Sequence, residues 1–229
     1  MKTHDCKQHS QAWYDLRLGR PTASRFDCIV TPTGKRTANA ARANYLAELV
    51  GERLTRTVQQ HFVTAAMERG TILEPRARAY WQMATSKEIA QVGFVTPDHG
   101  LWGCSPDGLA DDCVLEIKCP LRHNLVARLI DEDYSEYIAQ AQAEMWICEK
   151  THCDLVLFSD EQGIPSRIIT LDADPKMHAA FEASVPEFCA EIDAAEKTLV
   201  ALGGGISPDA LRDCSAEVDA WAKYEGPKP

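Results

Sequence analysis

Pro106-Asp107 is followed nine positions later by Glu116-Ile117-Lys118, within the string C-S-P-D-G-L-A-D-D-C-V-L-E-I-K-C-P that fills residues 104–120. Residues 114–119 alternate with the period of a strand. Val114, Glu116 and Lys118 therefore point to one face, and Leu115, Ile117 and Cys119 to the other. The second face is apolar and reads as core. The first carries an acid and a base two residues apart, where a half-buried strand carries neutral side chains. Gly108 permits a sharp turn after Asp107, which lets that carboxylate face Glu116 across a hairpin. Two converging carboxylates repel each other and call for a cation between them. Hard oxygen ligands suit Mg²⁺, with Mn²⁺ as a substitute, and such ions take their remaining ligands from water and substrate phosphates. A lysine beside them can position or deprotonate the attacking water, or offset charge on the phosphate. The plain alternative is a solvated hairpin with a Glu/Lys surface pair. Pro-Asp at this spacing, together with the apolar alternate face, favours the metal site.

This combination resembles the signature of the PD-(D/E)XK nuclease superfamily. The longer strings S-P-D-G-L and L-E-I-K-C-P are similar to those of the phage lambda exonuclease, or YqaJ-type viral recombinase, family of alkaline exonucleases, and the resemblance runs from about Trp13 to about Phe188. It implies an α/β fold with a restriction-endonuclease-like core: a central mixed sheet, the active-site hairpin at its centre, and helices on both sides. It implies a Mg²⁺-dependent 5′→3′ exonuclease that degrades one strand of double-stranded DNA to 5′-mononucleotides and leaves a 3′ single strand. It further implies a trimeric ring and a single-strand annealing protein as partner in recombination.

Site residues follow from the same resemblance. Asp107 and Glu116 would hold the metals, helped by the carbonyl of Ile117, and Lys118 would position water. Glu74, in a glutamate followed by an aromatic-rich helix, would be a further acid. Gln140, in Tyr-x-x-Gln, would stand near the scissile phosphate. The string W-Y-D-L-R-L-G-R-P-T-A-S matches the family's N-terminal motif, in which Arg17 and Ser24 help to hold a 5′-phosphate, joined here by Ser105. A guanidinium forks onto phosphate oxygens and a helix start favours an anion, so the chemistry is sound. Met67 stands where an apolar wedge splits the terminal base pair. Lys35 and Arg36, in the loop T-P-T-G-K-R, are placed to follow a backbone groove. Without the family, each of these has an ordinary reading as a surface charge, a cap or a core residue.

The elements that must position these groups are legible in outline. Residues 10–18 read as a short helix capped by Ser10, with Ser24 capping a second. Residues 39–54 read as a helix burying Tyr45, Leu46, Leu49, Val50 and Leu54. Residues 62–84 read as another, broken near Gly70 and Pro75. Residues 92–96 and 101–105 read as strands that form a meander with 114–119. A polar stretch then runs to about Ser135, and residues 137–149 form a helix on which Gln140 and Glu144 share a face. Strands at 154–159 and 167–171 precede a long helix, 175–199, capped by Asp174 and kinked at Pro186. A helical extension begins at about 203.

Length and composition bound the rest. The 229 residues, 45% of them hydrophobic, suit a single domain, 1–229. No apolar run reaches a membrane span and no signal core opens the chain. Nine cysteines then suggest reduced thiols in a cytosol, and the resemblance implies a bacterial cytoplasm and a phage- or prophage-encoded protein. A net charge of −10 argues against a nucleic-acid partner, but its distribution argues back. Residues 17–56 hold eight Lys/Arg and three Asp/Glu, a balance of +5, whereas residues 172–229 hold five and twelve, a balance of −7. That pattern predicts a basic DNA-facing surface and an acidic exterior. No Cys-x-x-Cys, Gly-x-Ser-x-Gly or Walker-type loop occurs, which removes zinc-ribbon, serine-hydrolase and ATPase readings. Two alternatives remain: an endonuclease on the same core, which would cut closed circles, and a non-catalytic DNA-binding adaptor, against which the intact Asp107, Glu116 and Lys118 count.

Overall fold

The strand carrying Glu116 and Lys118 lies inside a four-stranded mixed sheet. The structure is a computed structural model that describes residues 1–59 and 64–203, so the expected extension beyond 203 lies outside the described residues. In chain order the elements are β1 (Lys2–His4), α1 (Gln11–Arg17), a 3₁₀ turn (Ala23–Cys28), α2 (Ala40–Thr55), α3 (Ala65–Thr85), β2 (Phe94–Thr96), β3 (Gly108–Leu109), β4 (Cys113–Lys118), α4 (Arg122–Asp131), α5 (Ser135–Cys148), β5 (His152–Leu157), β6 (Arg167–Asp172) and α6 (Pro175–Leu202).

The sheet order is β3-β4-β5-β6. β3 and β4 form the expected antiparallel hairpin, β4 and β5 run parallel, and β6 returns antiparallel to β5. A parallel pair needs a crossover, and α4 with α5 supplies it. The alternation read from the sequence sorts β4 correctly. Val114 packs with Met145, Phe181 and Tyr45 from the helices on one side. Leu115 and Ile117 pack with Leu73, Ala77 and Trp81 of α3 on the other. Both faces of the sheet are thus covered, as parallel strands require. One acid in this core, Asp154, is fully engaged: Trp81 Nε1 donates to it at 2.8 Å and Thr170 Oγ1 at 2.6 Å.

The helices start where the caps predict. Ser10 Oγ accepts from Trp13 N–H, Asn39 from Arg42, and Asp174 from Lys176 and Met177. Several details differ from expectation. α3 runs unbroken through Gly70 and Pro75, because its buried face of Leu73, Ala77 and Trp81 outweighs the one lost backbone rung. β2 pairs with β1, in a separate two-stranded sheet, and meets 101–105 only through a Val95–Cys104 bridge, so there is no three-stranded meander. The polar stretch after Pro120 is a helix, α4, anchored by Leu125. Ser24 lies inside the 3₁₀ turn and caps nothing; Thr22 holds the cap position without a side-chain bond. Leu54 is exposed.

The charge blocks meet in part. Arg36 pairs with Glu187 at 3.1 Å and Glu191 at 2.7 Å, Arg42 with Glu191 at 2.7 Å, and Arg53 with Asp193 at 2.5 Å and Glu196 at 3.4 Å. Three of the eight basic side chains of residues 17–56 are thus paired with acids of α6, and the acids beyond 203 lie outside the described residues.

Candidate active site

Glu116 is almost fully buried, on the β4 face covered by α5. Lys118, two residues on and on the same face, places Nζ 2.6 Å from Glu116 Oε1. Gln140 of α5 closes the group. Its Nε2 donates to Glu116 Oε1 at 2.7 Å and to Glu144 Oε1 at 3.0 Å, and its Oε1 accepts from Lys118 Nζ at 2.9 Å. Asp107 comes from the far side of the hairpin. The β3–β4 register pairs Gly108 with Leu115, which sets Asp107 opposite Glu116, and Asp107 Oδ2 accepts the Ile117 N–H at 2.6 Å. Arg78 of α3 donates to the Asp107 carbonyl at 3.1 and 2.9 Å and pairs with Glu74, one helical turn before it.

Four carboxylates thus converge with one lysine and one arginine among them. Burial pushes Asp107 well above the ordinary carboxylate range, and repulsion from Glu116 and Glu74 adds to it. Burial and Glu116 do the same to Glu144. Burial disfavours the Lys118 ammonium, but Glu116, with Asp107 and Glu144, overcomes that and holds the group above its usual value. The cluster is arranged for a positive charge beyond the one Lys118 supplies.

A second group lies one short strap away, because Ser105 and Asp107 are separated by Pro106 alone. Ser105 Oγ accepts from Trp13 Nε1 at 2.7 Å and from Arg17 Nη1 at 3.4 Å. Arg17 stacks on Trp13, 4.2 Å from the ring centroid, and Nη2 donates to Thr22 Oγ1 at 3.3 Å. Thr22 Oγ1 lies 3.4 Å from Ser24 Oγ. One guanidinium and three hydroxyls are therefore gathered, with burial depressing the Arg17 pKa. The strap is braced by Gln8, whose Nε2 donates to the carbonyls of Pro106 and Val92, both at 3.1 Å.

The structure thus brings Asp107, Glu116, Ile117, Lys118, Gln140 and Glu74 together, and Arg17, Ser24 and Ser105 beside them. It does not bring Arg36 there, since Glu187 and Glu191 hold that side chain on α6. Lys35 is exposed on the same loop, and Met67 is exposed in the first turn of α3. Sequence reasoning put Glu144 on one face with Gln140 but gave it no role, and passed over Arg78 and the polar work of Trp13 and Thr22. The four-residue spacings of Gln140 to Glu144 and of Glu74 to Arg78 were the available signal.

The family profile of the YqaJ-like viral recombinase domain matches residues 12–152. The chain belongs to that family. Its matched stretch spans Arg17, Ser24, Glu74 and the whole acid centre. Two crystal structures of LHK-Exo, an alkaline exonuclease from Laribacter hongkongensis, superimpose with a TM-score of 0.77 at 33% identity, covering 86% of this chain and 100% of that one; one of the two is a complex with dAMP. A phage-related exonuclease from Haemophilus somnus 129PT shares the fold, with a TM-score of 0.60 at 12% identity over 81% of this chain and 96% of that one. No curated protein matched the sequence. Among the described residues no helix is long and apolar enough to cross a membrane.

The fold implies a divalent metal, and the donor set fits one. Asp107, Glu116 and Glu144 offer hard oxygens, and Glu144 Oε2 is buried without a hydrogen-bond partner. A buried carboxylate oxygen left unpaired is costly unless a cation or water meets it.

Proposed function

We propose that the protein is a Mg²⁺-dependent 5′→3′ exonuclease that degrades one strand of double-stranded DNA to 5′-mononucleotides and leaves a 3′ single strand. The observation that carries this is the strap from Ser105 to Asp107, which ties the hydroxyl–guanidinium group to the acid centre. Two residues of chain reach at most about 7 Å. A terminal 5′-phosphate held by Arg17, Ser24 and Ser105 would therefore lie within a nucleotide's length of Asp107 and Glu116. The dAMP complex of LHK-Exo supports a site made for a 5′-nucleotide.

In this reading Asp107 and Glu116, with the Ile117 carbonyl and Glu144, hold Mg²⁺, or Mn²⁺ in its place. A divalent ion held there would acidify a water and offset charge on the phosphate. Lys118, within reach of Glu116 and Gln140, would position or activate the attacking water or offset charge on a phosphate oxygen. Gln140 fixes the spacing of Glu116, Lys118 and Glu144 by bonding to all three. Glu74 acts through Arg78, which pins the Asp107 backbone. By the family resemblance Met67, exposed at the start of α3, would be the wedge for the terminal base pair. The family resemblance further supports a trimeric ring and an annealing partner for the exposed 3′ strand, in a phage- or prophage-encoded protein working in the bacterial cytoplasm.

The test is a Mg²⁺ reaction on linear duplex with 5′- or 3′-end label and on nicked and closed circles. Early release of labelled mononucleotide from the 5′ end, with closed circles intact, is expected. Linearised closed circles would replace the reading with an endonuclease.

A further inference from the structure

At the other end of β4, three side chains of different chemistry meet. The ligand atoms of Asp112, Cys113 and His152 all lie within 4.8 Å of one another. The parallel register pairs Cys113 directly with His152, so the thiol and the imidazole emerge side by side from neighbouring strands. Asp112 is in the turn that leads into β4. The ring of His152 is already oriented: Nδ1 lies 3.4 Å from Thr151 Oγ1, and Nε2 lies 3.7 Å from Asp112 Oδ2. With a hydroxyl supporting Nδ1, Nε2 is left to face a cation beside Asp112, and metal-binding histidines are held by such a partner on the far nitrogen.

We propose that Asp112, Cys113 and His152 bind a thiophilic divalent cation of the zinc class, which staples the start of β4 to the start of β5. Thiolate and imidazole select such a cation over Mg²⁺, which prefers oxygen. The site is distinct from the acid centre. Cys113 belongs to the β4 face of Leu115 and Ile117, opposite that of Glu116, and three residues of strand separate the two by about 10 Å.

Charge and protons balance. A metal-free cysteine thiol is protonated near neutral pH, and the cation displaces that proton to solvent on binding. Thiolate and carboxylate then cancel the two positive charges, and neutral imidazole completes three protein ligands, leaving the fourth position to water. Asp112 at present pairs with Lys87, Nζ to Oδ2 at 2.6 Å. Lys87 is half-exposed, and surface pairs of this kind contribute about 1 kcal/mol or less, so the lysine yields to the cation at little cost. The staple would close the chain around α4 and α5, the crossover that carries Gln140 and Glu144, and clips that close long loops restrict the unfolded chain most.

The experiment is independent of the nuclease reading. The chelator-stripped full-length protein is titrated with Zn²⁺, and with Co²⁺ as a spectroscopic probe. One zinc per chain is expected, released protons in the calorimeter, and a thiolate-to-cobalt charge-transfer band. Cys113→Ser should remove the band. His152→Gln and Asp112→Asn, which alter partly exposed residues and leave the core intact, should each weaken zinc binding at least about tenfold. All three variants should retain Mg²⁺-dependent cleavage. Absence of the band in the unaltered protein, an undiminished band in Cys113→Ser, or unchanged zinc affinity in both surface variants would overturn the proposal.

Discussion

Replacing Asp107 by Asn should abolish cleavage and, in the same protein, raise the stability of the metal-free fold. The isostere keeps an oxygen to accept the Ile117 N–H, now at 2.6 Å, so the hairpin geometry is retained. What it removes is a charge. Residues opposite each other on paired strands bring their Cβ atoms to about 5 Å. Two unit charges at about 5 Å repel by about 3 kcal/mol at an effective dielectric of about 20. Lys118 and the Ile117 N–H oppose part of this, and a net gain of about 1–2 kcal/mol is expected, or about 2–8 °C in Tm for a chain of this size. The gain should depend on pH in a defined direction. Asp107 has a raised pKa in the fold, so the folded state holds its proton more tightly than the unfolded chain. Stability from that proton is present at low pH and is lost as pH rises from about 4, the unfolded value, through the folded one. The variant should therefore match the unaltered protein near pH 4 and exceed it at pH 8, in urea melts with chelator present. Saturating Mg²⁺ should reverse the order, because only the unaltered site binds the ion well. A variant that is less stable at pH 8 without metal, or one that still cuts at saturating Mg²⁺, would refute the reasoning.

Lys118→Met removes the cation that touches both Glu116 and Gln140, and single-turnover cleavage should fall by about 100-fold or more, as for loss of one electrostatic donor; DNA-end binding measured in Ca²⁺ should change little. Arg17→Ala should slow digestion of 5′-phosphorylated ends at least about tenfold relative to 5′-hydroxyl ends, in a competition between the two substrates, and equal losses would place Arg17 in packing alone. Light scattering should give a mass near three times 25.4 kDa, with digestion that an unlabelled competitor added after initiation does not reduce; a monomer with distributive products would remove the ring.

The hairpin was readable from the sequence because a period of two and a Gly after Asp107 leave one register. The phosphate-side group was readable in its members, Arg17, Ser24 and Ser105, but not in its construction, since the Trp13 indole and the Thr22 hydroxyl look like ordinary core and turn residues. β1 escaped notice because K-T-H carries no apolar alternation and pairs with β2, as in His4 with Phe94, far along the chain. α4 escaped because its polar sequence has a single buried anchor, Leu125, and no side-chain cap. Glu144 reads locally as a helix-surface acid; only the packing of α5 on β4 buries it. The ion pairs between the basic segment and α6 were hidden for the same reason. Linear segregation says nothing about whether Arg36, Arg42 and Arg53 will meet Glu191, Asp193 and Glu196 in space.

The strap between Ser105 and Asp107 also has a bearing on descent. The groups proposed to break the bond come almost entirely from 107–144, whereas those proposed to grip the strand end come from α1 and the turn after it, with Ser105 alone contributed by the central segment. A lineage could rewrite residues 10–24, and with them the kind of terminus accepted, while inheriting the bond-breaking segment unchanged. The reverse is constrained, because an insertion or deletion between Ser105 and Asp107 would shift both groups at once and leave neither in step with the other.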